Sequence, residues 1–295
     1  MLERVLPGTV DARVRSLAIA TLVVQILIVA TGGAVRLTGS GLGCPTWPQC
    51  TDGSFVATPE MGIHGAIEFG NRLLTFLLVV VAILMFLAVV RMRKERGDLF
   101  VLALIIGLYV PIQAVIGGIT VLTNLNPYVV GLHYLASVVL VAFAAVLVYR
   151  VYDGPRGSER VGPSWYRILV HVTTLLVAVT IIVGIITTGS GPHAGDSGAA
   201  RNGLDPAVLQ HVHSWPAYAT FAATILLVLL APTTRLRRFA TILIGIELVQ
   251  IAVGLTQSRL GLPELLVGIH MVLACCIGAA MTAVVLSLRQ PQPKG

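Results

Sequence analysis

Long apolar runs dominate this sequence of 295 residues and limit what it can fold into. An α-helix rises about 1.5 Å per residue, so about 20 apolar residues cross a hydrocarbon core about 30 Å thick. Because irregular backbone cannot satisfy its polar groups in lipid, each such run is predicted to be helical. The sequence therefore predicts an all-α membrane protein with eight transmembrane helices, at 16–36, 62–90, 99–122, 129–150, 166–188, 207–231, 236–257 and 264–287.

The charges indicate how these helices are oriented. Only 11% of the residues are charged, whereas a soluble domain carries roughly 25%. The net charge of +7 comes from basic residues that cluster on one side of the membrane, which the positive-inside rule makes cytoplasmic. We therefore expect no nucleic-acid partner and both termini in the cytoplasm. The clustered residues are Arg4, Arg13, Arg15, Arg91, Arg93, Lys94, Arg96, Arg150, Arg156, Arg160, Arg167, Arg235, Arg237, Arg238, Arg289 and Lys294.

The first apolar run is expected to be a retained span. It is as long as a true transmembrane helix, and no small-residue cleavage site follows it. Nothing before it resembles an organelle transit peptide. These features predict a multi-pass protein of a bacterial cytoplasmic membrane.

The chain also repeats itself. Thr-Gly-Ser-Gly at 38–41 returns at 188–191, at the ends of the first and fifth runs. "GLYVPIQAVIGGIT" is echoed by "GIELVQIAVGLTQ", which places Gln113 over Gln250. "VVGLHYLA" is echoed by "LVGIHMVLA", which places His133 over His270.

Each half of the chain holds four spans, so both halves enter the membrane from the same side. This arrangement predicts a parallel repeat of two pseudo-symmetric four-helix bundles, each able to hold a site between its helices. We place the division between residues 1–155 and 156–295.

Four histidines lie at similar depths near the outer ends of the even-numbered spans: His64, His133, His213 and His270. Ionisable groups inside a membrane are costly and mark functional sites. Facing histidines on neighbouring helices suit axial ligation of a haem iron. Hydrogen-bonded core histidines are the alternative. A zinc site is not expected, because no thiolate or carboxylate cluster completes a tetrahedral set.

Glu68 is the second intramembrane candidate and shares a helix face with His64 four residues earlier. Its carboxyl group can serve as a proton donor or acceptor, or as a structural partner for Arg72. Arg36 and Arg72 can bind carboxylates such as haem propionates, or extend toward the interface. Glu247 is also predicted to be buried, without an assigned role.

Cys44 and Cys50 flank Pro-Thr-Trp-Pro-Gln in the first outer loop. This side of the membrane is oxidising, so a disulfide can form there. A structural disulfide and a redox-active pair are both open. Cys275 and Cys276 lie within the eighth span, where cysteine behaves as a small apolar residue.

Several motifs together resemble the haem A synthase family. They are "VRLTGSGLGCPTWPQC" after the first span, a Glu-x-x-His-Arg-like segment in the second, "GLH" in the fourth, Gln-x-x-His in the sixth and "GIH" in the eighth. The resemblance covers all eight spans. It implies an oxidoreductase that converts the ring C8 methyl group of heme O into the formyl group of heme A, for cytochrome oxidase.

The resemblance also implies site residues. His213, in the motif that begins at Gln210, and His270 match the family's haem b ligands. His133 matches a histidine on the substrate side, and Glu68 matches the catalytic glutamate. Cys44 and Cys50 match the family's outer-loop cysteines.

The chain departs from the family pattern at two places. Asn71 stands where the second span should carry a histidine, just before Arg72. An amide is a poor iron ligand. His64 is a candidate replacement, but it lies two helical turns, about 10 Å, further out. The outer loop "SGPHAGDSGAARNGLD" lacks the second cysteine pair found in some members.

The resemblance implies that heme O enters the N-terminal bundle from the lipid, with its ring methyl group near Glu68. Haem b in the other bundle would relay electrons to an external donor or acceptor. Heme O synthase is an expected partner. The alternative reading is a diheme membrane cytochrome b that only transfers electrons. A transporter is a further alternative, but it needs polar broken helices at the bilayer midplane, whereas the polar groups here crowd the outer ends.

Overall fold

The computed structural model describes residues 6–292, so Arg4 and Lys294 of the charge argument lie outside the described residues. Within this range eight helices are long and apolar enough to cross a membrane, which confirms the prediction. They are α1 (Ala12–Leu37), α2 (Gly62–Val89), α3 (Gly97–Leu122), α4 (Pro127–Asp153), α5 (Ser164–Ser190), α6 (Pro206–Leu229), α7 (Thr234–Arg259) and α8 (Glu264–Leu286). Short 3-10 turns at Pro59–Met61 and Val90–Met92 flank α2.

Polar caps set where several helices begin. The Asp11 side chain accepts a hydrogen bond from the Val14 N–H, and Asp205 does the same for the first N–H groups of α6. Such contacts satisfy backbone donors that the first helical turn leaves without partners. Pro127 and Pro206 occupy the first position of α4 and α6, where the missing N–H costs nothing.

The helices pack in the same order in both halves of the chain. In the first half, α1 contacts α2 and α4, while α3 contacts α2 and α4. In the second half, α5 contacts α6 and α8, while α7 contacts α6 and α8. The halves meet where α8 packs on α1 and α4, and where α4 packs on α5.

The densest apolar cores lie toward the basic ends of the helices, away from the predicted histidine sites. One core joins residues of α1–α4, among them Val14, Met85, Leu99 and Leu147. The other joins residues of α5–α8, among them Tyr166, Leu227, Leu236 and Val284. Close packing at these ends stabilises each bundle and leaves the other ends to polar side chains.

A polar hydrogen bond crosses the contact between the halves. The Tyr134 hydroxyl on α4 donates to the Met271 carbonyl on α8 at 2.7 Å. Val138, Val141 and Cys275 pack nearby in one apolar cluster. The free thiol of Cys275 is fully buried there, as expected of a cysteine that packs as an apolar residue.

A two-stranded antiparallel ribbon, which the sequence did not predict, closes the basic end. Strand β1 (Arg156–Arg160) in the α4–α5 linker pairs with β2 (Arg289–Pro291) after α8. The Val161 N–H donates to the Leu288 carbonyl at 2.8 Å, which extends the pairing. The linker and the segment after α8 therefore lie at the same surface, in agreement with an even number of spans between them.

The charge pattern predicts which loops face the cytoplasm. We expect an alkaline phosphatase domain inserted after Gly53 to be active, and one inserted after Lys94 to be inactive, because phosphatase folds only outside the cytoplasm. A green fluorescent protein inserted at the same two positions should give the opposite result. Equal phosphatase activity at both positions would contradict the orientation.

Candidate functional site

His213 and His270 face each other between α6 and α8. Their ring centroids are 6.2 Å apart, and the ring planes are inclined by 73°. An imidazole nitrogen binds a metal at about 2 Å and lies about 1 Å from its ring centre, so two axial imidazoles on one iron have centres about 6 Å apart. The predicted convergence of these two side chains is therefore present, at a separation suited to iron.

Glycines on the neighbouring helices make room for the histidine rings. A Cβ atom on Gly184 of α5 would lie 2.8 Å from His213 Cε1, and one on Gly254 of α7 would lie 3.1 Å from His270 Cε1. Gly117 of α3 is related in the same way to His133 Cε1, at 3.3 Å. Larger side chains at these glycines would displace the imidazoles.

One glutamine in each half makes the same contact with the histidine of that half. Gln113 Nε2 donates to the His133 carbonyl at 3.4 Å, and Gln250 Nε2 donates to the His270 carbonyl at 3.1 Å. Gln113 and Gln250 each lie four residues before the glycine beside the corresponding histidine. The backbone of each histidine is thus bound by the helix that also contacts its ring. Sequence reasoning aligned the glutamines without predicting this contact.

The side chains of this site fit a haem. The Nδ1 atoms of His133, His213 and His270 are buried without a hydrogen-bond partner among residues 6–292. In the same range, no three or more His, Cys, Asp and Glu residues are grouped to hold a metal ion. Two imidazoles alone suit a metal whose remaining ligands come from a macrocycle, as in bis-histidine haem.

No equivalent pair of facing histidines is present in residues 6–155 of the N-terminal half. Within the described chain, the His64 ring does not contact the His133 ring, and Asn71 offers an amide instead of a ring. Asn71 Oδ1 instead accepts a hydrogen bond from Thr31 Oγ1 of α1 at 2.8 Å. This contact orients the Asn71 amide toward α1. Position 71 is the one at which the family motif has a histidine.

His64 lies at the outer rim of the N-terminal half. Its side chain is exposed, and its Nδ1 atom is 2.9 Å from Ser40 Oγ. Gly43 lies against its backbone, because a Cβ there would be 2.2 Å from the His64 carbonyl oxygen. His64 thus supports the loop that follows α1, and its binding of a substrate haem stays a prediction.

Buried Glu68 and half-buried Arg72 form an ion pair that binds the first outer loop. Arg72 Nη2 is 2.6 Å from Glu68 Oε1, and Glu68 is 5% exposed. Glu68 Oε2 accepts the Cys44 N–H at 2.6 Å. The Arg72 guanidinium donates to the carbonyls of Gln49, Cys44 and Thr46 at 3.0–3.1 Å. The predicted partnership of Glu68 with Arg72 is therefore present, and both side chains also hold the loop.

The cysteines of this loop form the expected disulfide. Cys44 and Cys50 are bonded to each other and are fully buried. Between them, Trp47 lies on α3, since a Cβ on Gly118 would be 2.3 Å from its ring. Gly118 follows Gly117, the residue beneath His133. The loop therefore covers the N-terminal bundle immediately beside the His133 position.

Arg36 joins the outer loops of the two halves. Its guanidinium donates to the carbonyls of His193 at 2.8 Å and Thr188 at 3.1 Å. His193 Nε2 is 2.8 Å from the Leu262 carbonyl in the loop between α7 and α8. Arg36 thus binds protein carbonyls. The sequence had suggested that it binds a haem propionate or extends toward the membrane interface. Sequence reasoning had assigned no role to His193.

Glu247 is buried within the C-terminal half, as predicted. It is 4% exposed, and its Oε1 atom accepts a hydrogen bond from Thr224 Oγ1 at 2.9 Å. Its Oε2 atom has no partner among the described residues. Glu247 lies seven residues, about 10 Å along α7, from the glycine beside His270.

The ion pair under the loop predicts a stability effect. We expect Arg72→Met to lower the free energy of unfolding by about 3 kcal/mol, because Glu68 stays buried without its cation. Protease cleavage between residues 45 and 58 should also become faster. Arg259→Met, at an exposed position on α7, is the matched control. Equal thermal unfolding of the two variants in the same detergent would contradict this account.

Comparison with known proteins agrees with the motifs. A family profile described as COX15-CtaA, cytochrome oxidase assembly protein, matches residues 15–282. Similar curated proteins include Heme A synthase of Listeria welshimeri, 26% identical over 57% of this chain and 56% of that protein. Heme A synthase of Bacillus pumilus is 27% identical over 57% of this chain and 56% of its own length.

A third similar protein is also a heme A synthase. Heme A synthase of Exiguobacterium sp. is 29% identical over 54% of this chain and 52% of that protein. The chain thus spans about half the length of the curated relatives it matches. The family profile covers most of the chain, beginning within the first transmembrane helix and ending within the eighth. This multi-pass bacterial membrane protein therefore belongs to the COX15-CtaA family of cytochrome oxidase assembly proteins.

Proposed function

We propose that this protein is a haem A synthase, an oxidoreductase that converts the C8 methyl group of heme O into the formyl group of heme A. The facing pair of His213 and His270 is the observation that carries the proposal, because it provides two axial ligands for a haem iron. Family membership and the similarity to heme A synthases of other bacteria support the same activity.

The proposal divides the work between two pseudo-symmetric halves, residues 1–155 and 156–295. In the C-terminal half, His213 and His270 would hold haem b, which would supply one-electron chemistry when bound. The N-terminal half receives heme O from the lipid. The like order of helix contacts and the repeated glutamine and glycine contacts support this division.

In the N-terminal half, His133 positions the substrate ring and Glu68 handles protons at the ring methyl group. Oxidation through an alcohol and a hydrated aldehyde to the formyl group removes four electrons, which the external electron acceptor would take up, and releases four protons when water supplies the new oxygen. Both oxygens of Glu68 accept hydrogen bonds, from Cys44 and Arg72. Among the described residues, Oε2 accepts only the Cys44 N–H, so its second lone pair can take a proton from the substrate. In this proposal Asn71 and Arg72 also contact the substrate haem.

The contact between α4 and α8 supports electron transfer between the halves. Tyr134 follows His133 in the chain, and Met271 follows His270. The Tyr134 hydroxyl binds the Met271 carbonyl directly, so the helices that carry the two histidines are joined at this level. This contact would hold His133 at the substrate site in a fixed position relative to His270, which would hold haem b. An external electron partner and heme O synthase complete the proposed reaction system.

A diheme cytochrome b requires a second pair of axial ligands in the N-terminal half. Among residues 6–292, His133 has no facing imidazole, while Asn71 is bound to Thr31. These contacts favour a substrate site over a second permanent electron-transfer haem.

The proposal is tested by extracting haems from bacteria that make heme O, with and without this protein. We expect heme A only when the protein is present, and a reduced spectrum of the purified protein that shows b-type haem. Glu68→Gln should abolish heme A while the b-type spectrum persists. Unchanged heme O beside a normal b-type spectrum in the unmodified protein would contradict the synthase and favour the cytochrome.

The glycine beside His270 gives a second test. Gly254→Ala places a Cβ 3.1 Å from His270 Cε1, so the ring must shift. We expect the purified variant to retain several-fold less haem b than the unmodified protein. Gly245→Ala is the matched control. Gly245 lies on the same helix, α7, and a Cβ there would have no neighbouring atom within 4 Å. Equal haem content in the two variants would contradict the His270 assignment.

A further inference from the structure

The ribbon of β1 and β2 carries three arginines. Arg160 lies directly opposite Arg289, and Arg156 lies opposite Pro291. Opposed residues share a face, and Arg289 and Pro291 are two residues apart on β2. Arg160 and Arg289 therefore share a face, and Arg156 lies at the other end of the ribbon, beyond an irregularity in the register of β1. We call the surface formed by these three arginines the arginine face.

Like charges directly opposite each other destabilise an antiparallel pair. Arg156 and Arg160 are exposed, and neither makes a hydrogen bond or ion pair among the described residues. Arg289 Nη1 donates only to the Ser158 carbonyl, at 3.1 Å. The proximity of Arg156 lowers the pKa of the Arg289 guanidinium, with desolvation and Arg160 contributing less. The three cations thus lack a counter-charge from the described chain.

The neighbouring acidic groups do not supply that charge. Asp153 binds Arg235, which also donates to the Arg289 carbonyl at 3.1 Å. Glu159 precedes Arg160, so it points to the opposite face of β1. On that opposite face Gly157 is buried against the backbone of β2, since a Cβ there would be 2.4 Å from the Gln290 carbonyl oxygen. Arg156 and Arg160 are exposed and Arg289 is half-buried, so the arginine face is open to its surroundings.

The position of the ribbon indicates which anion it meets. β1 begins three residues after α4 ends, and β2 begins three residues after α8 ends. Both helices span the membrane, so the ribbon lies at the level of the lipid headgroups. The basic side is cytoplasmic by the charge rule, and the cytoplasmic leaflet carries the anionic lipids that attract clustered arginines.

We propose that Arg156, Arg160 and Arg289 form a binding site for the phosphate group of an anionic phospholipid. Arginine forks match phosphate oxygens well, and the bound anion relieves the repulsion between Arg160 and Arg289. The site joins the start of the C-terminal half, in the α4–α5 linker, to the segment after α8, so the lipid stabilises the pairing of β1 with β2. This proposal is independent of the haem chemistry.

The test measures lipid binding by native mass spectrometry of the full-length protein titrated with dioleoylphosphatidylglycerol. We expect the double variant Arg160→Gln/Arg289→Gln to bind this lipid about tenfold more weakly. The matched control Arg237→Gln/Arg238→Gln removes equal charge from exposed positions on the same side and should change binding less than about twofold. Equal weakening in the two double variants, or none in either, would overturn the proposal.

A charge reversal separates loss of binding from loss of folding. Arg160→Glu places a carboxylate opposite Arg289, which makes a favourable cross-strand pair. We expect a higher unfolding temperature in phosphatidylcholine together with weaker phosphatidylglycerol binding. A lower unfolding temperature would contradict the repulsion on which the site rests. Displacement of the lipid by inorganic phosphate at a few millimolar would assign the site to free phosphate instead and overturn the lipid proposal.

Discussion

The contact of imidazole rings with glycines is the constraint on which the candidate site depends. His213 and His270 approach to 6.2 Å between ring centroids only because Gly184 and Gly254 present bare backbone to them. An imidazole in the interior of a membrane protein is costly unless its polar atoms find partners. At His213 and His270, however, the Nδ1 atoms are buried without a hydrogen-bond partner among the described residues. The dense apolar cores at the opposite ends of the bundles stabilise this arrangement.

The N-terminal half is stabilised at its outer end by an ion pair and its hydrogen bonds to the first outer loop. There the ion pair of Glu68 and Arg72 is surrounded by loop carbonyls and the Cys44 N–H, so a partly buried charge pair receives the additional hydrogen bonds that it needs. The disulfide and the contact of Trp47 with Gly118 hold the same loop over α3. A side chain proposed for catalysis is thereby also part of the loop's support, and substitution of Glu68 affects both roles.

The sequence was sufficient for the helices and for the disulfide. Apolar runs of membrane length predicted all eight spans, because length and composition decide whether a segment can cross a bilayer. Residue spacing and resemblance also selected His213 and His270, which the structure brings together. The internal repeat aligned Gln113 with Gln250, and the same alignment sets Gly117 over Gly254. Those glycines were therefore a usable signal for the histidine contacts.

Other contacts could not be predicted, since they depend on how distant loops approach each other. Arg36 binds the His193 carbonyl, and Asn71 binds Thr31 of a different helix. Neither contact has a periodic pattern in the sequence. The pairing of β1 with β2 was also missed, because both strands are short and polar and lie more than a hundred residues apart. Charge counting identified the basic side without indicating which arginines face one another.

Electron paramagnetic resonance of the oxidised, purified protein tests the central claim most directly. Two axial imidazoles with ring planes near perpendicular, as the 73° between His213 and His270 suggests, should give a strongly anisotropic low-spin ferric signal. Substitution of His270 by alanine should remove this signal. A high-spin ferric signal in the unmodified protein, or a low-spin signal that survives the substitution, would contradict the proposed ligation.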